Sequence, residues 1–456
     1  MRGWPLLITL LLGGCNLAPT YERPAAPIYS AYSEPQAAGG RLATDVSWRN
    51  FFGDPQLKAD IAAALQNNRD LAQATARIEQ ARAQYRIQNA QRLPQVDISA
   101  SAAQARTPTP AGAVTSDLYT AQIGVTAFEL DFWGRLANLS EAARRQYLAT
   151  VEAQRAFELA LIANVASVYY AIRSGEEGID LSERTVVIRR HAQEIARQRL
   201  DAGVTSTVDF DQASVLVTQA ETQLADLQRT TEQQRNLLLV LVGGPMAGPP
   251  PPGRGIADSG QFAALVPGLP SSLLVNRPDV LAAEEQLRGA NANIGAARAT
   301  YLPFIALTGS AGYISPELSS LFVGSSHAWS YAAAAALPLF DFGRRRALVA
   351  QTRARRDELV ANYQRTVQEA FREVSDGLVG RRRLQEQIEA QERAVAVQRD
   401  LADTAELRYA SGISVYLEVL DAERNLFTAE QQLILLRAAA LQNGVALYIA
   451  LGGGAA

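Results

Sequence analysis

The stretch "YTAQIGVTA", Tyr119–Ala127, alternates along its length. Tyr119, Ala121, Ile123, Val125 and Ala127 fall on one face, with Thr120, Gln122, Gly124 and Thr126 on the other. A period of two is the mark of a β-strand. "PQVDISASA" (Pro94–Ala102) sets Val96, Ile98 and Ala100 against Asp97, Ser99 and Ser101. "WSYAAAAALPLF" (Trp329–Phe340) places Trp329, Tyr331, Leu337 and Leu339 together. Each segment is near the roughly 9–11 residues of a tilted transmembrane strand. Phe128, Phe132, Trp133, Phe304, Tyr313, Trp329 and Phe340 near the ends fit interfacial girdles.

Working outward, the chain repeats itself. "RLDAGVTSTVDFDQA" from Arg199 aligns with "RYASGISVYLEVLDA" from Arg408 at an offset of 209 residues. The same offset carries Leu93-Pro94 onto Leu302-Pro303 and Gly243 onto Gly452, and "DFWGR" at Asp131 recurs as "DFGR" at Asp341. Each copy reads helix, strand, strand, long helix, return helix. The spans are a leader (1–14), an extended arm (15–61), a first repeat (62–243), a proline- and glycine-rich linker (244–270), a second repeat (271–452) and a tail (453–456). The first helix is expected over Ala62–Arg92 and again over Arg277–Thr300, each stopped by Leu-Pro.

The long helices are expected over Arg135–Asp201 and Arg344–Ala410, almost free of proline. Such a helix reaches ~100 Å at 1.5 Å per residue. The return helices carry Ala213, Val217, Ala220, Leu224, Leu227, Leu238 and Leu241, and their counterparts from Ala422 to Ala450, at spacings of three and four. Ile388, Val395, Ala402 and Tyr409 follow at sevens. This is a coiled-coil seam. Helices alone would read as a soluble antiparallel coiled coil; the strands exclude that. Four strands cannot close a barrel, and open strand edges are not tolerated in lipid. Several chains must therefore share one barrel, and three would supply twelve strands.

Composition narrows the function. A net charge of −3 gives no reason to expect nucleic acid as a partner. Two histidines, His191 and His327, lie far apart, so neither a metal centre nor acid–base catalysis is expected. His191 is expected on or near the seam. No segment after the leader reads as a transmembrane helix. The one cysteine, Cys15, ends a short apolar run, Leu6–Leu12, behind Arg2 and before Asn16. Leu12-Gly13-Gly14-Cys15 resembles a bacterial lipobox, with glycine where alanine or serine is usual. That resemblance implies a lipid on the Cys15 thiol, and the lack of an aspartate after it favours the outer membrane.

Taken together, the lipobox, "PTYERP" at Pro19, the duplicated order, "DFWGR"/"DFGR" and "GISVYLEVLDAERNLFTAEQQL" at Gly412 resemble the TolC-type outer membrane efflux family. The lipoprotein branch serving resistance-nodulation-division pumps is the most similar. The resemblance implies a homotrimer with a twelve-strand barrel in outer-membrane lipid, continued by a long α-helical barrel. It implies a periplasmic adaptor and an inner-membrane transporter as partners. It places Gly203, Val204, Thr205, Gly412, Ile413 and Ser414 at adaptor-facing tips, where Thr205, Ser206 and Ser414 are expected to cap the return helices. It places Leu417, Glu418, Asp421 and Arg424 at a periplasmic gate: an apolar ring, two acidic positions and an ion-pair partner. No catalytic, cofactor or metal residue is expected. Drug efflux, metal-ion efflux and a passive porin-like channel remain as readings. Met1 and Met246 are the only methionines, so no methionine relay for soft metals can be built.

Overall fold

The structure is a computed structural model and describes residues 16–34, 41–110, 112–245, 255–256, 262, 265–266, 268 and 270–453. Cys15, most of the linker and residues 454–456 lie outside the described residues. After α1 (Pro55–Asn67), one order of elements occurs twice. The first run is α2 (Arg69–Ala90), β1 (Val96–Thr109), β2 (Gly112–Glu129), α3 (Arg135–Asp201) and α4 (Thr207–Val242). The second is α5 (Pro278–Ala299), β3 (Phe304–Ser315), β4 (His327–Ala336), α6 (Arg344–Ala410) and α7 (Tyr416–Ala450). The chain forms two compact units.

One unit comprises Met1–Ala25, Ala76–Val151 and Ala282–Arg365. It contains an antiparallel four-stranded sheet in the order β1-β2-β3-β4. Register runs from Val96↔Val125 between β1 and β2, and from Phe304↔Ala336 between β3 and β4. Every residue of β1 is exposed, as is most of β4. The two middle strands are more covered: β2 is exposed or half-buried along its length, and β3 buries Ala306 and Ser315, so it is the outer strands that stay bare within this unit. The alternation from Tyr119 ends at Val125 rather than Ala127. There the ladder with β3 shifts register, and Ala127 turns to φ +52 with its N–H donating to Thr308 Oγ1 at 3.2 Å. This is a β-bulge, which one strand's sequence does not announce.

The two DF motifs are strand-to-helix junctions. Asp131 accepts from the Ala137 N–H (2.7 Å), and Asp341 accepts from the Gly343 and Arg345 N–H groups (3.0 and 3.1 Å). Trp133 Nε1 donates to the Pro303 carbonyl at 2.8 Å. The arm lies along α5. Arg23 forms a two-pronged ion pair with the buried Glu284 (3.1 and 2.8 Å), and Arg288 approaches the same carboxylate at 2.7 Å. Asn291 and Arg298 donate to the Pro19 and Leu17 carbonyls (2.7 and 3.1 Å), and Asn138 Nδ2 reaches Asn16 Oδ1 at 2.9 Å.

The other unit comprises Ala26–Thr75, Glu152–Leu281 and Thr366–Ala456. Its aromatic core stacks Phe51 on Tyr448 (4.0 Å) and on Phe262 (4.8 Å), and Tyr448 donates to the Val46 carbonyl at 2.6 Å. Burying one such ring contributes about 1.5–3 kcal/mol. Three expectations are corrected here. The arm is not extended to residue 61: Trp48–Phe51 is a helical turn, and Asp54 caps α1 by accepting from Gln56 N–H (2.8 Å), with Pro55 at the first helical position. The helix expected over Ala62–Arg92 breaks at Asn68, whose Oδ1 caps α2 through Leu71 N–H while its Nδ2 donates to the Leu241 carbonyl (both 2.9 Å). The linker is not featureless either. Phe262 and Ile256 are packed, and Leu265–Val266 pairs in parallel with Arg41–Leu42.

On α4 the seam residues Ala213, Val217, Ala220 and Thr231 are buried, and Leu224, Leu227, Leu238 and Leu241 are half-buried. Val395 and Ala402 of α6 are buried. Two polar positions of the return helices, Thr231 and Asn443, face glycine. A Cβ on Gly175 would sit 2.1 Å from Thr231 Oγ1, and one on Gly380 2.2 Å from Asn443 Oδ1. Asn443 Nδ2 donates to the Gly377 carbonyl at 2.9 Å. His191 departs from its expected place on the seam and is exposed. By length and composition α3 and α7 each hold a window apolar enough to cross a membrane, with mean hydropathy 1.2 and 1.6, contrary to expectation. Both windows are partly buried, as core-facing helices are.

Candidate functional site: the helical tips

α3 and α6 end in the same way. Gly203 and Gly412 both stand at φ +71, where glycine is unhindered. Gly203 N–H donates to Leu200 O and Val204 N–H to Arg199 O; Gly412 N–H donates to Tyr409 O and Ile413 N–H to Arg408 O (all 2.9 Å). This is the six-to-one and five-to-two pair of a Schellman stop. It leaves Val204 and Ile413 exposed at the ends of the hairpins.

The return helices start differently. Ser206 and Asp209 form a capping box on α4, and Thr205 Oγ1 donates to the Asp209 carboxylate. The Thr205 hydroxyl and then the Ser206 N–H hold Asp209 below the usual carboxylate range. On α7 the capping position is Val415, which offers no side-chain bond. Ser414 does not cap: its Oγ is buried and has no hydrogen-bond partner among the described residues.

The four residues expected at the gate, Leu417, Glu418, Asp421 and Arg424, lie in the first turns of α7. Glu418 Oε1 is 3.1 Å from Arg408 Nε across the turn, and Asp421 Oδ1 is 3.0 Å from Arg424 on the same helix. Both pairs are about half exposed. Each carboxylate is thus already paired inside one chain, and neither stands as a bare anion. Leu417, Asp421 and Arg424 line a groove with Val208, Asp211 and Val215 of α4.

Sequence reasoning missed the links between the hairpins. The Arg199 guanidinium lies 5.4 Å from the centre of the Tyr409 ring and donates to its hydroxyl. Arg189 is buried; it donates to the Leu216 carbonyl at 3.0 Å and sits 5.6 Å over Phe427. Burial, then Glu406, pushes Glu423 up, and burial, then Glu423, pushes the Tyr416 hydroxyl up. Tyr409 was legible only as a seam position, and nothing in the sequence marks Arg189. Among the described residues no group of three or more His, Cys, Asp or Glu is arranged to hold a metal.

A four-stranded sheet with exposed outer strands, leading into 67-residue helices that each end in a glycine reversal, is the build of an outer-membrane conduit. Residues 61–244 and 269–453 match the family described as outer membrane efflux protein, and the chain belongs to that family. The toluene efflux pump outer membrane protein TtgC of Pseudomonas putida is 40% identical, over 97% of this chain and 93% of that one. The cation efflux system protein CusC of Escherichia coli is 39% identical, over 99% and 98%. The open state of the Neisseria gonorrhoeae MtrE outer membrane channel superposes with a TM-score of 0.88 at 34% identity, over 96% of this chain and 98% of that one. The chain is an outer-membrane efflux protein.

Proposed function

We propose that three copies of this chain form the exit duct of a tripartite efflux pump. The carrying observation is the sheet. One chain supplies four strands, the outer two exposed along nearly their whole length, and among the described residues β1 and β4 each pair on one side only. Twelve strands from three chains would close a barrel, and lipid would cover its outer face. The rods then reach into the periplasm. Their tips meet a periplasmic adaptor and, through it, an inner-membrane resistance-nodulation-division transporter.

Leu417, Glu418, Asp421 and Arg424 form the gate in this reading. Threefold symmetry brings three Asp421–Arg424 pairs to one aperture, where ionic rings control passage. Cys15 carries the lipid anchor. Asn16, the next residue, bonds to Asn138 in the first turn of α3, just beyond the strands, which supports an anchor at the membrane face. The cargo is small organic solutes, in keeping with the toluene pump relative. The cation-system relative supports metal-ion export as a second reading.

Native mass spectrometry of the detergent-solubilised protein tests the assembly, and three chains are expected. A folded monomer with its full β content would refute the barrel. In planar bilayers Asp421→Ala with Arg424→Ala should raise single-channel conductance. Conductance equal to wild type would place the gate elsewhere.

A further inference from the structure

Where β4 passes into α6, the backbone at Phe342 turns to φ +52, a region that bulky side chains rarely adopt. The fold itself has no use for that ring. Phe342 is fully exposed, and Phe340 is 91% exposed. The matching junction of the first repeat is closed by contrast. Phe132 is half-buried, Trp133 is tied to Pro303, and Arg135 pairs with Glu129. At the second junction Arg345 alone is used, bonding to Asp341 at 2.6 Å. Arg344 and Arg346 are exposed, have no acidic neighbour in the first turn, and form no ion pair among the described residues.

Exposed rings beside unneutralised guanidinium groups call for a partner that is apolar and anionic at once. We propose that Phe340, Phe342, Arg344 and Arg346 form a binding surface for anionic glycerophospholipid in the leaflet next to the helices. This rests on the outer-membrane reading given above. The rings would enter the boundary between headgroups and acyl chains, as interfacial aromatics do. The arginine forks match phosphate oxygens in pairs. A strained backbone that persists without internal benefit is what such a role predicts. A neighbouring copy is the rival occupant. Its β1 would bring one carboxylate beside β4, Asp97, which already accepts from Gln95 at 2.9 Å. One engaged acid does not answer two free arginines, so charge favours lipid.

The test is native mass spectrometry of the purified assembly, titrated with phosphatidylglycerol or phosphatidylcholine. Wild type should retain phosphatidylglycerol preferentially. R344Q with R346Q should lose that preference, by about fivefold per arginine. Phe342→Gly should weaken retention of both lipids yet unfold at no lower temperature, because glycine accepts positive φ. Equal retention of the two lipids by wild type would overturn the proposal, as would unchanged retention by the arginine variant. If Phe342→Gly splits the assembly while lipid per chain is unchanged, the surface is a contact between copies and the proposal falls. A protein that alkaline carbonate washes off membranes would instead refute the outer-membrane reading beneath it.

Discussion

Arg408 Nε lies 3.1 Å from Glu418 Oε1, tying the end of α6 to the start of α7 across the Gly412 reversal. Exposed pairs of this kind are worth roughly 0–1 kcal/mol. Glu418→Gln should therefore raise hydrogen exchange around the second tip by no more than about fivefold. Combined with Asp421→Asn it should also lower the cation preference of the channel, read from reversal potentials. An unchanged preference would mean that these carboxylates do not face the passing ions.

The two tips should differ in local stability. Ser206→Ala removes half of a capping box, which typically costs about 1 kcal/mol. Exchange at the start of α4 should speed up accordingly. Val415→Ser should slow exchange at the start of α7 by a similar amount, since the wild-type position caps nothing. Unchanged exchange in both variants would show that tip fraying is set by packing alone.

Asp60 is buried, and neither of its oxygens has a hydrogen-bond partner among the described residues. Burial, and then Asp54, pushes its carboxyl up to about 6. The free value is about 3.9, so the folded chain holds the proton more tightly than the unfolded one. Its stabilising effect is complete below the free value, fades as pH rises from about 4 to about 6, and is then gone, a span of about 3 kcal/mol. Asp60→Asn should flatten this slope and be the more stable protein at pH 7. Parallel unfolding curves for the two proteins across that window would contradict the assignment.

Mass spectrometry of the mature N-terminus should find diacylglyceryl and acyl groups on Cys15. A free thiol there would end the lipoprotein reading. Cys15→Ala behind an ordinary secretory leader should still assemble, because the strands insert independently of the anchor.

The rods were legible because their signals are local and repeated. Ile388, Val395, Ala402 and Tyr409 recur at sevens, and Gly412 follows as the stop. The capping of Asn68 was hidden, since half of its hydrogen bonding reaches Leu241, 173 residues away. The Ala127 bulge depends on Thr308, and Phe262 on Phe51 and Tyr448. These are agreements between distant segments, and no window of sequence contains them. At the tips, the glycine turns could be read from the repeat. The pairing of Glu418 with Arg408 could not, because it needs the antiparallel return to bring them together.

The glycines opposite Thr231 and Asn443 act as keyways. Each admits one polar key at one height, and sliding a return helix by a heptad would drive that key into a side chain. A slip of seven residues would also carry the tip ~10 Å along the rod. The axial position of Val204 and Ile413 is therefore fixed far from the ends, as a ratchet tooth sets the reach of an arm.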